Sequence, residues 1–181
     1  MAASPDRDRL SFLAVLLRDR NAIDAKIASL IGRPVFAGHI GEFIAARVFD
    51  IEMNTSATAK GHDGVFRSGP HTGKTVNVKM HAAHSGLLDM SVADPPDLYL
   101  VVAGPSVPAA TSRGTHRPLV IESVFLLSHE ELLASGVKPG IAASVRKAIW
   151  TKGCVFPSAS EEFPIAEEQK EILRLFGPIE G

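Results

Sequence analysis

Residues 68–81 read SGPHTGKTVNVKMH, and the fold turns on whether the second half of this stretch is a helix or a strand. The first half looks like a nucleotide-binding glycine loop. That pattern asks for Gly, four residues, then Gly-Lys-Ser/Thr. Only three residues separate Gly69 from Gly73, and one position earlier stands Ser68. The mechanism decides more than the count. Such a loop curls successive backbone N–H groups around a phosphate and runs directly into a helix N-terminus. Here Val76, Val78 and Met80 alternate with Thr75, Asn77, Lys79 and His81. A period of two belongs to a strand with one buried face. The glycine-proline segment is therefore read as a turn joining two antiparallel strands, DGVF and KTVNVKM. No nucleoside triphosphate is expected as a ligand.

The chain has 181 residues, 45% of them hydrophobic and 22% charged. This suits one domain spanning 1–181 with a full apolar core. A formal net charge of −1 excludes a global basic field, so nucleic-acid binding would need a local patch. The lone cysteine, Cys154, excludes an internal disulfide framework and a multi-cysteine zinc site, and fits a reducing cytoplasm. No uninterrupted apolar run is long enough to span a membrane. LSFLAVLL near the N-terminus is short, flanked by arginines and without a small-residue cleavage site. It reads as part of an amphipathic helix and not as a signal peptide. Asn54-Thr55-Ser56 matches a glycosylation sequon that a cytoplasmic protein would not use.

Periodicity predicts N-terminal helices over 5–32. The first carries Leu10, Leu13, Leu16 and Leu17. The second, NAIDAKIASLI, is capped by Asn21 and stopped by Gly32 and Pro34. A third helix is expected over about 39–49, followed by short β segments near IEMNTS, DGVF and TVNVKM. DLYLVVAG (97–104) reads as a buried strand and RPLVIESVFLL (117–127) as another, with a polar loop between them. Ser128 caps the helix SHEELLAS. A helical tail over 128–181 includes a closing helix in EEFPIAEEQKEILRLFG. The expected architecture is α/β, with three or four strands in a mixed sheet and helices packed against it.

The chemistry-bearing residues gather around the hairpin. Asn77 and Lys79, two apart, share one sheet face, while Asp63 begins the partner strand. A carboxylate, an amide and an ammonium thus converge, although alternating polar residues also mark any half-exposed strand. Glu42 lies on HIGEFIAARVF, a segment apolar nearly all round and so expected to be largely buried. A buried acid is costly unless it is paired or binds a cation. Arg47 or a distant lysine would serve as a structural partner.

Gly41-Glu42 in an apolar helix, a β segment, Gly61-His62-Asp63, a hairpin and Val76-Asn77-Val78-Lys79 together resemble the core of the PD-(D/E)XK nuclease superfamily, which has the restriction-endonuclease-like fold. Within it the arrangement is similar to Holliday-junction-resolvase-like members. The resemblance covers about 38–127. It implies a mixed sheet flanked by helices and a metal-dependent endonuclease acting on nucleic acid, with DNA as the expected substrate in restriction or DNA processing. It implies Mg²⁺ or Mn²⁺ held by Asp63 and Glu42, and Lys79 orienting the attacking water or steadying the phosphate. Asn77 stands where the family usually has Glu or Asp. An amide oxygen can ligate Mg²⁺ but brings no negative charge. The alternative is therefore a catalytically inactive module of the same fold that binds nucleic acid or protein. A third reading is an unrelated α/β protein in which Asp63 and Lys79 form a salt bridge. Many such nucleases dimerise, which makes a homodimer one expected state.

Weaker signals lie elsewhere. His81 shares the strand face of Asn77 and Lys79 and is a candidate phosphate contact, and with His84 it forms an HxxH zinc alternative. Arg146, Lys147 and Lys152 surround Trp150, a mix that contacts a nucleic-acid backbone and stacks a base. Arg113, His116 and Arg117 form a second basic group on the polar loop. Glu122 reads as a strand-rim residue, and Asp94 and Asp97, flanking Pro95-Pro96, as shaping the start of a strand.

Overall fold

The structure, a computed structural model, describes residues 5–54, 61–106, 119–158 and 160–178. Two helices come first, α1 (Pro5–Ile31) and α2 (Ala37–Val48), followed by the short strand β1 (Ile51–Met53). The hairpin follows as β2 (Gly64–Phe66) and β3 (Thr75–His81). These two strands pair antiparallel, with Gly64 opposite Val76 and Val65 opposite Thr75. The intervening turn closes on itself. The Gly73 N–H donates to the Phe66 carbonyl at 2.8 Å and the Phe66 N–H to the Lys74 carbonyl at 3.1 Å. Gly69 and Gly73 hold φ of 78° and 82°, conformations that favour glycine. The amides are spent on the hairpin, and a strand, not a helix, follows Lys74.

Beyond β3 the chain adds β4 (Leu87–Leu88), β5 (Leu98–Ala103), β6 (Ser123–Ser128), α3 (His129–Ala134), β7 (Ala143–Ser144), α4 (Lys147–Gly153), β8 (Cys154–Phe156) and α5 (Glu167–Arg174). Six strands form one mixed sheet in the order β1-β2-β3-β5-β6-β8, and β4 and β7 pair separately. Among the described strand pairs only β3–β5 is parallel, running from Val76 opposite Leu98 to His81 opposite Ala103. Every residue of β5 is buried, as expected of a strand covered on both faces. The crossover from β3 to β5, residues 82–97, carries β4 and no helix.

The alternation of β3 separates two cores. Val76 and Val78 pack with Ile44, Ala45 and Val48 of α2 and with Leu100 and Leu126. On the opposite face Tyr99, Val101, Phe125 and Leu127 pack with Leu88, Leu132 and Trp150. The approach of α2 to β3 is close. A Cβ on Gly41 would lie 2.6 Å from the Met80 Cβ, so only glycine lets the helix settle at this depth. Asp97 fastens the starts of β3 and β5. Its Oδ2 accepts from the Thr75 N–H and hydroxyl, both at 2.7 Å, which fits its expected role at the start of a strand.

Two expectations are corrected. The N-terminal helices are a single helix: α1 runs through Asn21, because nothing between Leu17 and Ile23 breaks it and an interior Asn is only mildly unfavourable. The tail after 127 is not simply helical. It contributes β7 and β8, and β8 forms an edge of the main sheet. Cys154, Val155 and Phe156 are a short apolar run, which local pattern alone does not assign to helix or strand. Ser128 does cap α3, its hydroxyl accepting from the Glu131 N–H at 3.4 Å.

Two stability outcomes follow from these contacts. Gly41→Ala gains helix propensity of about 1 kcal/mol but must push Met80 aside. A net loss of about 1–2 kcal/mol in urea unfolding is expected. Hydrogen bonds from Thr75 hold the Asp97 carboxyl below its usual range. A depressed folded pKa stabilises above the unfolded value and loses that contribution as pH falls. Asp97→Asn therefore costs about 1 kcal/mol at pH 7, and its melting curve converges with that of the native chain in acid.

Candidate functional site

The hairpin opens at Asp63. The Asp63 N–H still donates to the Val76 carbonyl at 2.8 Å, but the next ladder position is taken by a side chain. Asp63 Oδ2 accepts from the Val78 N–H at 2.7 Å. The carboxylate thereby satisfies a backbone donor that β2 no longer reaches. Gly61 sets up this exit from the strand. It has φ of 88°, and a Cβ there would fall 1.8 Å from the Asp94 carbonyl oxygen. The Asn54 side chain adds a bond of 2.9 Å to the His62 carbonyl, pinning the Gly61-His62-Asp63 segment beside β1.

Glu42 and Lys79 both act on Asp63. Burial raises the Asp63 pKa, the Val78 hydrogen bond opposes the rise, the Glu42 charge adds to it, and Lys79 and His62 pull it down. Three elements distant in sequence thus bring two acids and one lysine into electrostatic range. Glu42 follows the glycine that seats α2 on β3, and its side chain is 19% exposed. Its direct partner is Arg33, an ion pair that pattern reading missed. Arg33 lies in the turn between α1 and α2, nine residues before Glu42, and that nearness was the available signal. Arg47, the expected partner, instead donates to the Phe43 carbonyl at 3.1 Å and stacks on the Phe43 ring.

Asn77 and Lys79 have Tyr99 and Val101 as register neighbours on β5, on the sheet face away from α2. The Asn77 Oδ1 is enclosed and has no donor among the described residues. A buried acceptor without a partner costs about 1–3 kcal/mol, so this oxygen is suited to an electropositive group. Two carboxylates and one free amide oxygen are the hard donors a divalent cation takes. No group of three His, Cys, Asp or Glu side chains placed to hold a metal occurs among the described residues. The expected donor set has only two acids.

His81 sits at the end of β3, where burial lowers its pKa, Asp89 opposes that shift and Lys79 reinforces it. Asp89 is a neighbour that sequence pattern did not suggest, and it also accepts from the Ala142 N–H at 2.7 Å. His84 is packed into an aromatic cluster, 4.7 Å from both the Phe125 and Trp150 ring centres. Trp150 is buried at 3% exposure and cannot present its ring to a base. Of the basic residues around it, Lys152 pairs with Glu131 at 2.7 Å and Glu162 at 2.9 Å. Arg146 donates to the Ser135 carbonyl at 2.6 Å, and Lys147 is exposed. Arg113, His116 and Arg117 lie outside the described residues. Glu122 is half-buried beside β6, its N–H donating to the Ala103 carbonyl at 2.9 Å.

No protein-family model and no curated protein matches the chain.

The raised Asp63 pKa carries a sign that can be checked. The fold favours the protonated form, so ionisation of Asp63 costs stability, and the cost shrinks as pH falls below the folded pKa and is gone below the unfolded one. Asp63→Asn keeps an acceptor for the Val78 N–H and removes the charge. The variant is expected to melt higher than the native chain at pH 7 and to lose that advantage in acid, below the ordinary carboxylate range, by differential scanning calorimetry. Lower stability at pH 7 would mean that the charged hydrogen bond outweighs burial.

Proposed function

We propose that the chain is a metal-dependent nuclease-like protein of restriction-endonuclease-like architecture that hydrolyses phosphodiester bonds in DNA. The observation that carries this reading is the electrostatic coupling at Asp63. Two acids from separate elements repel one another beside a lysine, a balance that a bound cation would relieve. The order of elements supports it as well: an apolar helix with Glu42, a β segment, then a hairpin carrying Asp63 and Lys79. The amide at 77 is a departure from the family's pattern.

Asp63 and Glu42 would hold Mg²⁺ or Mn²⁺; Asn77, expected to assist with a neutral oxygen, lies on the sheet face away from the helix that carries Glu42. Such a cation supplies Lewis-acid polarisation of the phosphate and lowers the pKa of water. The Lys79 ammonium orients the attacking water and offsets charge developing on the non-bridging phosphate oxygens. The Val78 N–H holds one Asp63 oxygen in place and leaves the other without a hydrogen bond among the described residues. Arg33 competes with the cation for Glu42, which implies weak binding in the absence of substrate.

The Arg33–Glu42 ion pair and the uncharged Asn77 favour a second reading. With half of its acidic charge already answered, the same fold would serve as a non-catalytic module that binds nucleic acid or protein. The two readings part in one assay. Supercoiled plasmid and branched DNA are incubated with Mg²⁺ or Mn²⁺ and the native chain or Lys79→Ala. Cleavage that falls about 100-fold or more in the variant supports the nuclease. DNA binding without cleavage by either protein supports the module. If calorimetry detects no Mn²⁺ binding and neither DNA is bound, both readings fail and Asp63 is a structural residue paired with Lys79.

A further inference from the structure

The turn between β2 and β3, the end of α2 and the segment leading into α5 meet without filling the space between them. They enclose a cavity of about 200 Å³. Its floor is Phe49, Phe66, Leu126, Val155 and Phe163. Each is at most 8% exposed, and all belong to the core that α2 shares with the sheet. His71, from the turn, forms a wall, its ring centre 5.6 Å from that of Phe66 and 5.2 Å from that of Phe163. Asp50, Pro164, Ile165 and Gln169 lie around the rim. The cavity is separate from the Asp63 site. Phe49 follows the last turn of α2, about 10 Å along the helix from Glu42.

A packed interior holds few voids larger than a water molecule, and one of this size persists only where its walls are kept from closing. Here each wall is tied down independently. Gln169 Nε2 donates to the Val48 carbonyl at 2.6 Å, and its Oε1 accepts from the Ala166 N–H at 2.7 Å, which clamps α5 to the end of α2. The Arg67 N–H donates to the Asp50 carbonyl at 2.9 Å, fixing the turn against the start of β1. The Phe163 N–H donates to the Ser160 hydroxyl at 3.2 Å. The cavity is thus preformed, and little ordering opposes a ligand. Its size selects a small one. An apolar cavity of about 150 Å³ accepts benzene, whereas pockets for drug-sized ligands begin at about 300 Å³. The aromatic floor favours an aromatic ring over an aliphatic one of equal size. Charge at the mouth is balanced. Asp50 is the charged residue among those lining the cavity, and Arg67 approaches it at 3.9 Å. Burial and Lys74 lower the His71 pKa, which leaves that ring uncharged at neutral pH. An ionised ligand would lose hydration without gaining a free countercharge.

We infer that this cavity is a binding site for a small uncharged aromatic molecule, of phenol to indole size, seated between His71, Phe163 and the sheet. Methyl NMR titration of the full chain reads the outcome. Indole and phenol give saturable shifts at the Leu126, Val155 and Ile165 methyls with Kd on the order of 0.1–1 mM. Cyclohexanol, close to phenol in size, binds about 3-fold or more weakly, and benzoate and benzylammonium at least roughly 10-fold more weakly. Val155→Phe fills the cavity and weakens indole at least about 10-fold, while the chain still melts cooperatively. Should Val155→Phe fail to fold, Ile165→Trp at the half-buried rim gives the same loss. No saturable shift with indole or phenol up to about 10 mM overturns the inference, as does indole binding that survives both substitutions. Benzoate or cyclohexanol binding as tightly as phenol overturns the ligand class.

Discussion

The structure is organised by the depth at which α2 lies on β3. Helix and strand meet at Gly41 and Met80, where no room remains for a side chain on the helix. This contact closes the core that Ile44, Ala45 and Val48 share with Val76 and Val78. It also fixes the position of the next residue. Glu42 is carried to the margin of the contact, near enough to the hairpin for its charge to act on Asp63. A helix standing further off would still bury its apolar stripe, but the acid would face water.

The hairpin contributes the second constraint. β2 begins only at Gly64, and the Val78 N–H beyond it would be orphaned if the Asp63 carboxylate did not accept from it. The same bond that completes the strand's hydrogen bonding also draws a charged group into a partly desolvated place. Burial and the neighbouring Glu42 both disfavour its ionised form. Lys79 and Arg33 answer this from opposite sides, one near Asp63 and the other bonded to Glu42. The local arrangement is therefore electrostatically divided, with like charges held close by backbone geometry and cations arranged around them. Strain of this kind is costly for stability and common where a protein binds a charged ligand.

The opposite sheet face has a different character. Around Tyr99, Phe125 and Trp150 several polar atoms are enclosed without partners among the described residues, His84 Nε2 and Trp150 Nε1 included. Aromatic contacts at 4.7–4.9 Å hold these rings, so packing and not hydrogen bonding decides their positions. Lys152, with two carboxylates, and Arg146, with a carbonyl, are engaged nearby. The basic character that the sequence concentrates around Trp150 is thus largely spent within the fold.

Local pattern was sufficient where each residue's environment repeats at short range. The alternation after Lys74 specified a strand, the glycines at 69 and 73 specified its turn, and the continuous apolar run at 98–103 specified a doubly covered strand. A mixed α/β sheet flanked by helices was legible from these, as was the shared neighbourhood of Asp63 and Lys79. What the sequence did not determine depends on partners distant along the chain. β8 is a strand because β6 offers it an edge, not because Cys154-Val155-Phe156 prefers that state. Arg33 rather than Arg47 answers Glu42 because the turn after α1 brings it there, while Arg47 finds its own ring and carbonyl one turn away. Hydrophobic periodicity reports which face of an element is buried. Only the tertiary structure decides against what, since charges and close backbone contacts act through space and leave no period in the sequence.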